Sequence, residues 1–359
     1  MKILILTNHS YMLYQFRREL IAELLKNHEV ILSMPFVGHE EDFEEIGCKC
    51  INTEIDRRGI NPIKDFRLLY YYYKLIKKER PHMVISFSIK PNIYGGIVCS
   101  ILKVPYFANV QGLGTAFEKK GLEDIVSILY KLAFSRVSTA FFENTVDSEK
   151  FIKRKILSED KITVLPGAGV NLDYYKYSPY PKEEAIRFLF VGRIMKEKGV
   201  DELFEAAIKL KEKYRNRIIF DIVGFFEDEY KEVIEKLEKA DVVNFHGFQQ
   251  EVRTYYASSH CVILPSYHEG MSNVLLEAAA SGRPIITSDI PGCREAVEEG
   301  INGYLCEAKN SKSLYETIEA FIKLNKDKHA EMGIKSREKM IRDFDKKRVV
   351  SRTLKEIFS

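Results

Sequence analysis

Short apolar runs recur along the first half of the chain, and amphipathic stretches of helical period separate them. Ile3–Leu6 reads as a buried strand and Arg17–Lys26 as the helix that follows. Val30–Ser33, Met83–Phe87, Tyr106–Asn109 and Thr139–Phe142 read as further strands, and helices are predicted over Asp65–Lys78, Asn92–Leu102 and Leu122–Ser135. Strands and helices that alternate in this way predict a parallel sheet covered on both faces. The rhythm breaks between Pro166 and Pro181, where Pro and Gly are frequent and no period survives, so this stretch reads as an interdomain linker. A second series follows, with strands at Ile186–Val191, Ile218–Val223, Val242–Phe245, Cys261–Leu264 and Pro284–Thr287. Its helices are predicted over Val200–Lys213, Glu229–Lys239, a glutamate-bearing stretch after Gly270, Leu314–Leu324, Ser336–Phe344 and Lys347–Ile357. The pattern predicts an α/β protein of two Rossmann-like, doubly wound parallel-sheet domains facing a cleft. The first domain is expected over 1–166 and the second over 167–343, with the last helix, about 344–359, free to pack back on the first.

Composition narrows the class of partner. A chain of 359 residues suits two domains of roughly 150 residues each. The formal charge is only +3, which argues against a nucleic-acid partner. The charge is uneven: residues 1–165 carry 24 Lys and Arg against 20 Asp and Glu, the remainder 31 against 32, so the first half leans toward a phosphate-bearing or membrane-surface partner. The six cysteines (48, 50, 99, 261, 293 and 306) form no Cys-x-x-Cys pair and read as reduced core residues of a cytoplasmic protein. Met1–Thr7 is too short for a signal sequence and reads as a first strand. No apolar run approaches the ~20 residues of a membrane span. A peripheral contact with the inner membrane face stays open. Tyr70–Tyr73, flanked by Lys64, Arg67, Lys74, Lys77 and Lys78, reads either as part core and part solvated surface or as an interfacial docking stripe, and Lys150, Lys153, Arg154 and Lys155 pose the same choice.

Candidate chemistry concentrates at the turns that follow strands of the second series. In Ser266-Tyr-His-Glu-Gly-Met-Ser-Asn273, a glycine precedes a helix expected to begin near Met271 or Ser272. Amides at a helix start lack intrahelical partners and carry the positive end of the helix dipole, so Gly270, Met271, Ser272 and Asn273 form a candidate anion site. Glu269 projects beside that anion, and Glu277, inside the helix, is placed to accept hydrogen bonds from a vicinal diol. A ribose diol and a sugar joined by a diphosphate would engage both acids. Two glutamates alone would read as ordinary surface and helix-forming residues; the glycine and the flanking strands favour a site. After the Ile186–Val191 strand, Gly192, Arg193 and Lys198 suit a diphosphate, Arg by binding two oxygens at once. Gly224 is a candidate for close approach of the ligand, and Phe248 for lining a base pocket, though each reads equally as a plain turn residue. Thr287–Glu295 follows the next strand and is given no chemistry. No Asp-x-Asp motif occurs in these turns, so no metal is expected, and no cofactor beyond a nucleotide-sugar substrate.

The second half resembles the nucleotide-sugar-binding domain of retaining glycosyltransferases of family 4, which have the GT-B fold. The resemblance rests on Val191-Gly-Arg193 with Lys198-Gly199, Pro265-Ser266 with Glu269-Gly270, Leu276-Glu277-Ala278, Gly282-Arg-Pro284, Gly292, Glu295 and Gly300-x-x-Gly303. In the first half Thr7-Asn-His-Ser10, Phe16-Arg17, Ile89-Lys-Pro-Asn-Ile-Tyr-Gly95 and Gln111-Gly-Leu-Gly114 are similar to bacterial enzymes that build capsule, O-antigen or lipid-linked N-glycan precursors. The resemblance implies transfer of a hexose or N-acetylhexosamine from a UDP-sugar to an undecaprenyl-diphosphate-linked sugar, at the cytoplasmic face of the plasma membrane. It implies that Glu277 holds the ribose hydroxyls and that Glu269 contacts the donor sugar. Gly270–Asn273, with Ser266 and Gly192, would surround the donor, and Arg193 and Lys198 would neutralise the departing diphosphate without a metal. His9, Arg17, Lys90, Asn92, Gly112 and Gly114 fall on the acceptor side. For His9 a structural role competes with this one. One departure stands out: many family members carry paired glycines after the first strand, where this chain has Asn8-His-Ser-Tyr11. Two other activities fit the same fold, a UDP-sugar epimerase and a non-catalytic partner subunit. Conversion of UDP-sugar without acceptor would mark the first; UDP binding without any transfer would mark the second.

Overall fold

The computed structural model describes residues 1–56, 61–113, 117 and 121–359. They form two compact units, Met1–Ala168 with Val349–Ser359, and Gly169–Arg348.

The first unit holds strands β1 (Lys2–Leu6), β2 (Glu29–Met34), β3 (Lys49–Asn52), β4 (Met83–Phe87), β5 (Tyr106–Val110), β6 (Thr139–Phe142) and β7 (Ile162–Val164). All pair in parallel, in the order β3-β2-β1-β4-β5-β6-β7. The helices are α1 (Ser10–Leu25), α2 (Glu40–Glu45), α3 (Pro62–Glu79), α4 (Gly96–Leu102), α5 (Leu122–Ala133) and α6 (Thr145–Lys153). The sheet is apolar on both faces because helices cover both. Side chains of β1 alternate between two cores: Ile3 and Ile5 meet α1, while Leu4 and Leu6 meet α3, α4 and α5.

The second unit holds β8 (Ile186–Val191), β9 (Ile218–Val223), β10 (Asn244–Phe245), β11 (Cys261–Leu264), β12 (Ile285–Ser288) and β13 (Gly303–Cys306), parallel in the order β10-β9-β8-β11-β12-β13. Its helices are α7 (Val200–Tyr214), α8 (Lys231–Lys239), α9 (Arg253–Ser258), α10 (Asn273–Ala280), α11 (Ser311–Ile322) and α12 (Lys326–Asp343). The last helix, α13 (Lys346–Phe358), begins in this unit and ends in the first, where Val349 and Ile357 complete the core over α1. Two Rossmann-like parallel sheets are therefore present, the GT-B pair of domains.

Several local expectations change. The helix expected over Asn92–Leu102 is a π turn, Pro91–Gly95, followed by α4. The expected strand Val242–Phe245 shortens to β10, and the helix expected over Ser336–Phe344 is the second half of α12, which starts at the Asn325 cap. Residues Pro166–Pro181, read as an interdomain linker, contain the division between the two units, and their later part is tied to the second. Arg283, with no exposed surface, donates to the Ser178 and Pro179 carbonyls, and Arg337 donates to those of Leu172 and Tyr175. Backbone acceptors that a helix or sheet would have satisfied find guanidinium donors instead.

Candidate functional site

In the second sheet the chain starts at β8, builds outward through β9 and β10, and returns to the other side of β8 with β11. The order reverses between β8 and β11, which is where an open parallel sheet leaves a crevice at its carboxyl end. The turns after these two strands carry Lys198 and Glu269.

These turns are packed backbone to backbone. Lys196–Lys198 forms a 3-10 turn that ends at Gly199, in the left-handed region at φ +69, and a Cβ at Gly199 would lie 2.0 Å from the Pro265 carbonyl oxygen. Tyr267 donates its amide to the Glu197 carbonyl. This close approach delivers the Lys198 Nζ to 2.5 Å from Glu269 Oε1, and the Ser266 hydroxyl donates to the same oxygen at 2.8 Å. Both charged side chains are largely buried. A carboxylate held by an ammonium and a hydroxyl is fixed in direction.

The loop from Glu269 into α10 is held from behind by the Thr287–Glu295 segment, to which no chemistry was assigned. Gly292, at φ +82, would place a Cβ within 2.6 Å of the Glu269 and Gly270 carbonyl oxygens, and its own amide is held by Glu295 Oε2 at 2.8 Å. The Gly292 carbonyl accepts from Ser272 N at 2.8 Å, so the Ser272 amide, expected to be open to an anion, is occupied. The helix starts at Asn273, a little later than expected, and Ser272 supplies no side-chain cap. The amides of Met271, Asn273 and Val274 make no hydrogen bond among the described residues. An uncapped dipole end thus lies beside the Lys198–Glu269 pair.

Glu277, near the start of α10's second turn, is buried. Tyr256 of α9 donates to its Oε2 at 3.0 Å, and Tyr175 donates as well. Burial raises its carboxyl to about 7, against the opposing pull of the two tyrosines and the Lys346 ammonium. The tyrosines were not legible as site residues, since Tyr175 lies in the stretch read as a linker and Tyr256 on a short unpredicted helix.

The remaining second-domain candidates divide. Arg193 is partly exposed and lies 3.6 Å from Glu227. Phe248 is exposed and stands edge-on to Phe225, with ring centroids 6.1 Å apart. Gly224 was expected to admit the ligand, but a Cβ there would lie 1.8 Å from the Gly192 carbonyl oxygen, so glycine is required by its neighbour strand. The amides of Gly192 and Gly224 are likewise committed, to Val223 and Gly247 carbonyls.

The first sheet reverses between β1 and β4, and His9 and Lys90 follow those strands. His9 caps α1, its Nδ1 accepting from Met12 N. Lys90 lies 2.7 Å from Asp65, and Arg17 is buried 2.9 Å from Glu143 with its guanidinium over Phe87. Asn92 is a correction to the acceptor-side set. Its Oδ1 accepts from Ser86, its Nδ2 donates to the Asn109 carbonyl and its own carbonyl accepts from Tyr106, all inside the core. Gly112 adopts φ +109, the conformation of a tight turn. Gly114 lies outside the described residues. Ser88, which the sequence did not single out, occupies the left-handed region at φ 76 and donates its hydroxyl to Asn8 Oδ1 at this switch point.

The chain is similar to known glycosyltransferases. Residues 177–340 match the family model of glycosyl transferases group 1, and residues 2–144 match glycosyl transferase 4-like. A Campylobacter jejuni N,N'-diacetylbacillosaminyl-diphospho-undecaprenol alpha-1,3-N-acetylgalactosaminyltransferase is 29% identical, over 89% of this chain and 88% of its own. An Escherichia coli UDP-Gal:alpha-D-GlcNAc-diphosphoundecaprenol alpha-1,3-galactosyltransferase is 28% identical, over 80% and 78%. Among solved structures, Anabaena HepE in complex with UDP and glucose superposes over 100% of both chains with a TM-score of 0.81 at 16% identity, a likeness of fold.

Proposed function

We propose that this glycosyltransferase, whose first half belongs to the glycosyl transferase 4-like family and whose second half belongs to the glycosyl transferases group 1, moves a hexose or N-acetylhexosamine from a UDP-sugar to a polyprenyl-diphosphate-linked sugar. The transfer retains anomeric configuration and serves assembly of a bacterial surface polysaccharide or glycan. The observation that carries this reading is the fixed Lys198–Glu269–Ser266 cluster beside an uncapped helix start, with Glu277 on the same helix. The names of the Campylobacter and Escherichia relatives, both acting on diphosphoundecaprenol-linked sugars, support the acceptor class.

Each residue has a physical task in this scheme. Glu277 accepts the ribose hydroxyls, displacing the pull of the two tyrosine hydroxyls in part. The Met271 and Asn273 amides and the helix dipole meet the diphosphate or sugar oxygens. Lys198 and Arg193 stabilise the negative charge that grows on the diphosphate as the glycosidic bond breaks. Glu269, held rigidly, orients the sugar so that the acceptor oxygen approaches on the face the diphosphate leaves, and a donor phosphate oxygen takes the acceptor proton. A panel of UDP-sugars presented with polyprenyl-diphosphate-linked monosaccharides, read by mass spectrometry and by NMR of the new anomeric centre, tests it. One sugar increment with retained configuration is expected. Absence of transfer from every donor, with no UDP binding, would overturn it.

A further inference from the structure

We propose that the outer faces of α3 and α5 form a docking surface for an anionic phospholipid bilayer. The two helices, with α4 between them, cover one face of the first sheet, and the π turn Pro91–Gly95 packs against both. Leu68, Tyr72, Leu75 and Ile76 of α3 and Val126, Tyr130 and Ala133 of α5 point into that core. The opposite stripe of each helix therefore points away from the sheet.

Those outward stripes are apolar where a solvated helix would be charged. On α3, Ile63 is 68% exposed, Phe66 69% and Tyr70 51%; on α5, Ile125 and Ile128 are each 58% exposed and Leu132 56%. The spacings are three and four in α3 and three and four in α5, one stripe on each helix. Single exposed apolar residues are ordinary, but six on two stripes of the helical layer over the same sheet face, one on each side of α4, make a surface that water does not favour.

Charge identifies the occupant as a bilayer. The α3 stripe continues into Lys74 and Lys77, whose ammonium groups lie 4.8 Å from the Tyr70 ring centroid and 5.2 Å from that of Tyr73. Lys64, Arg67 and Lys78 are exposed on the same helix. Its acids Asp65 and Glu79 are held by Lys90 and Lys49, and the acids that open α5, Glu123 and Asp124, are both held by Arg154. Apolar and aromatic side chains bordered by cations, with nearby carboxylates neutralised, match the boundary between acyl chains and anionic headgroups. Of the tyrosine run, Tyr72 is core and Tyr70 is exposed on the proposed surface. The docking surface rests on the transfer reading only in that a lipid-linked acceptor gives it a use.

The test is co-sedimentation of the full chain with vesicles rich in phosphatidylglycerol and with phosphatidylcholine vesicles. The wild type is expected to partition onto the anionic vesicles, more weakly at high salt. Ile63→Ser with Phe66→Ser should reduce partitioning about tenfold or more, and Lys74→Glu with Lys77→Glu should remove the preference for anionic lipid. Titration with UDP should be unchanged in both variants, since the substitutions are far along the chain from the donor site and on an exposed face. Turnover on a water-soluble, short-chain diphosphate-sugar acceptor separates the two ideas. If that turnover is missing in wild type while vesicles still bind, the transfer reading fails and the docking surface stands. If wild type ignores anionic vesicles, if the variants bind as wild type does, or if Phe66→Ser instead dissolves a concentration-dependent dimer, the docking surface is overturned.

Discussion

Glu277→Gln separates what this acid contributes to the free protein from what it contributes to the donor complex. Burial holds the carboxyl near 7 against an ordinary value of 4.5. A folded value raised above the unfolded one means that the folded chain binds the proton more tightly. The associated stability is present below pH 4.5 and is lost as the pH rises through about 7. At ~1.36 kcal/mol per unit, ionising Glu277 costs the unliganded protein about 3 kcal/mol by pH 8, and about 2.5 kcal/mol of that accrues between pH 5 and pH 8. Glutamine keeps the shape and an oxygen for the Tyr256 hydroxyl but never ionises. Thermal unfolding measured by circular dichroism should therefore show the variant close to wild type at pH 5 and about 5–10 °C more stable at pH 8. Taking the difference cancels groups with the opposite sign, such as His260, whose burial lowers its pKa to about 4 and whose protonation destabilises the fold at low pH. Calorimetry at pH 8 should show UDP binding to the variant weakened roughly ten- to a hundredfold, as hydrogen bonds to a charged acceptor are lost. A variant no more stable than wild type at pH 8, or one that binds UDP as wild type does, would refute this account of Glu277.

Lys198→Ala should lower kcat by roughly a hundred- to a thousandfold, about 3–4 kcal/mol of transition-state stabilisation, with steady-state kinetics as the measure. Arg193→Ala should also act on kcat rather than on UDP affinity; equal effects on both would place the guanidinium in ground-state binding. Gly292→Ala should disorder the acidic loop through the contacts with the Glu269 and Gly270 carbonyls, weakening UDP binding in calorimetry more than it lowers the melting temperature. Asn92→Ala should behave as a core substitution, losing about 1–3 kcal/mol in denaturant unfolding for the partners it leaves unsatisfied, while the acceptor KM of the folded fraction stays unchanged. Transfer should persist in excess EDTA, assayed by mass spectrometry.

The alternating α/β pattern was legible because each buried strand is an apolar run and each helix an amphipathic one, and both are local properties. Glu269 and Lys198 were legible because a strand followed by a glycine turn and a helix is also a local pattern. Asn92 was misplaced for the converse reason: it follows a strand as a ligand-contacting residue would, yet Ser86 of that strand and Tyr106 and Asn109 of the neighbouring β5 consume its hydrogen bonds. Gly224 stayed open between two readings because a glycine that admits a ligand and one that admits a neighbouring carbonyl look alike in one dimension, and the Gly192 carbonyl accounts for it as a turn glycine.

Residue order alone was enough for the two sheets, the helix start with its two acids, and the cations after β8. Those features depend on short-range periodicity and on turn chemistry. Folding was needed to decide that Lys198 and Glu269, 71 positions apart, form one pair, that Tyr175 and Tyr256 hold Glu277, and that Gly292 braces the loop from another strand. Each depends on which strand lies beside which, and strand order is set by long-range packing that no local window contains.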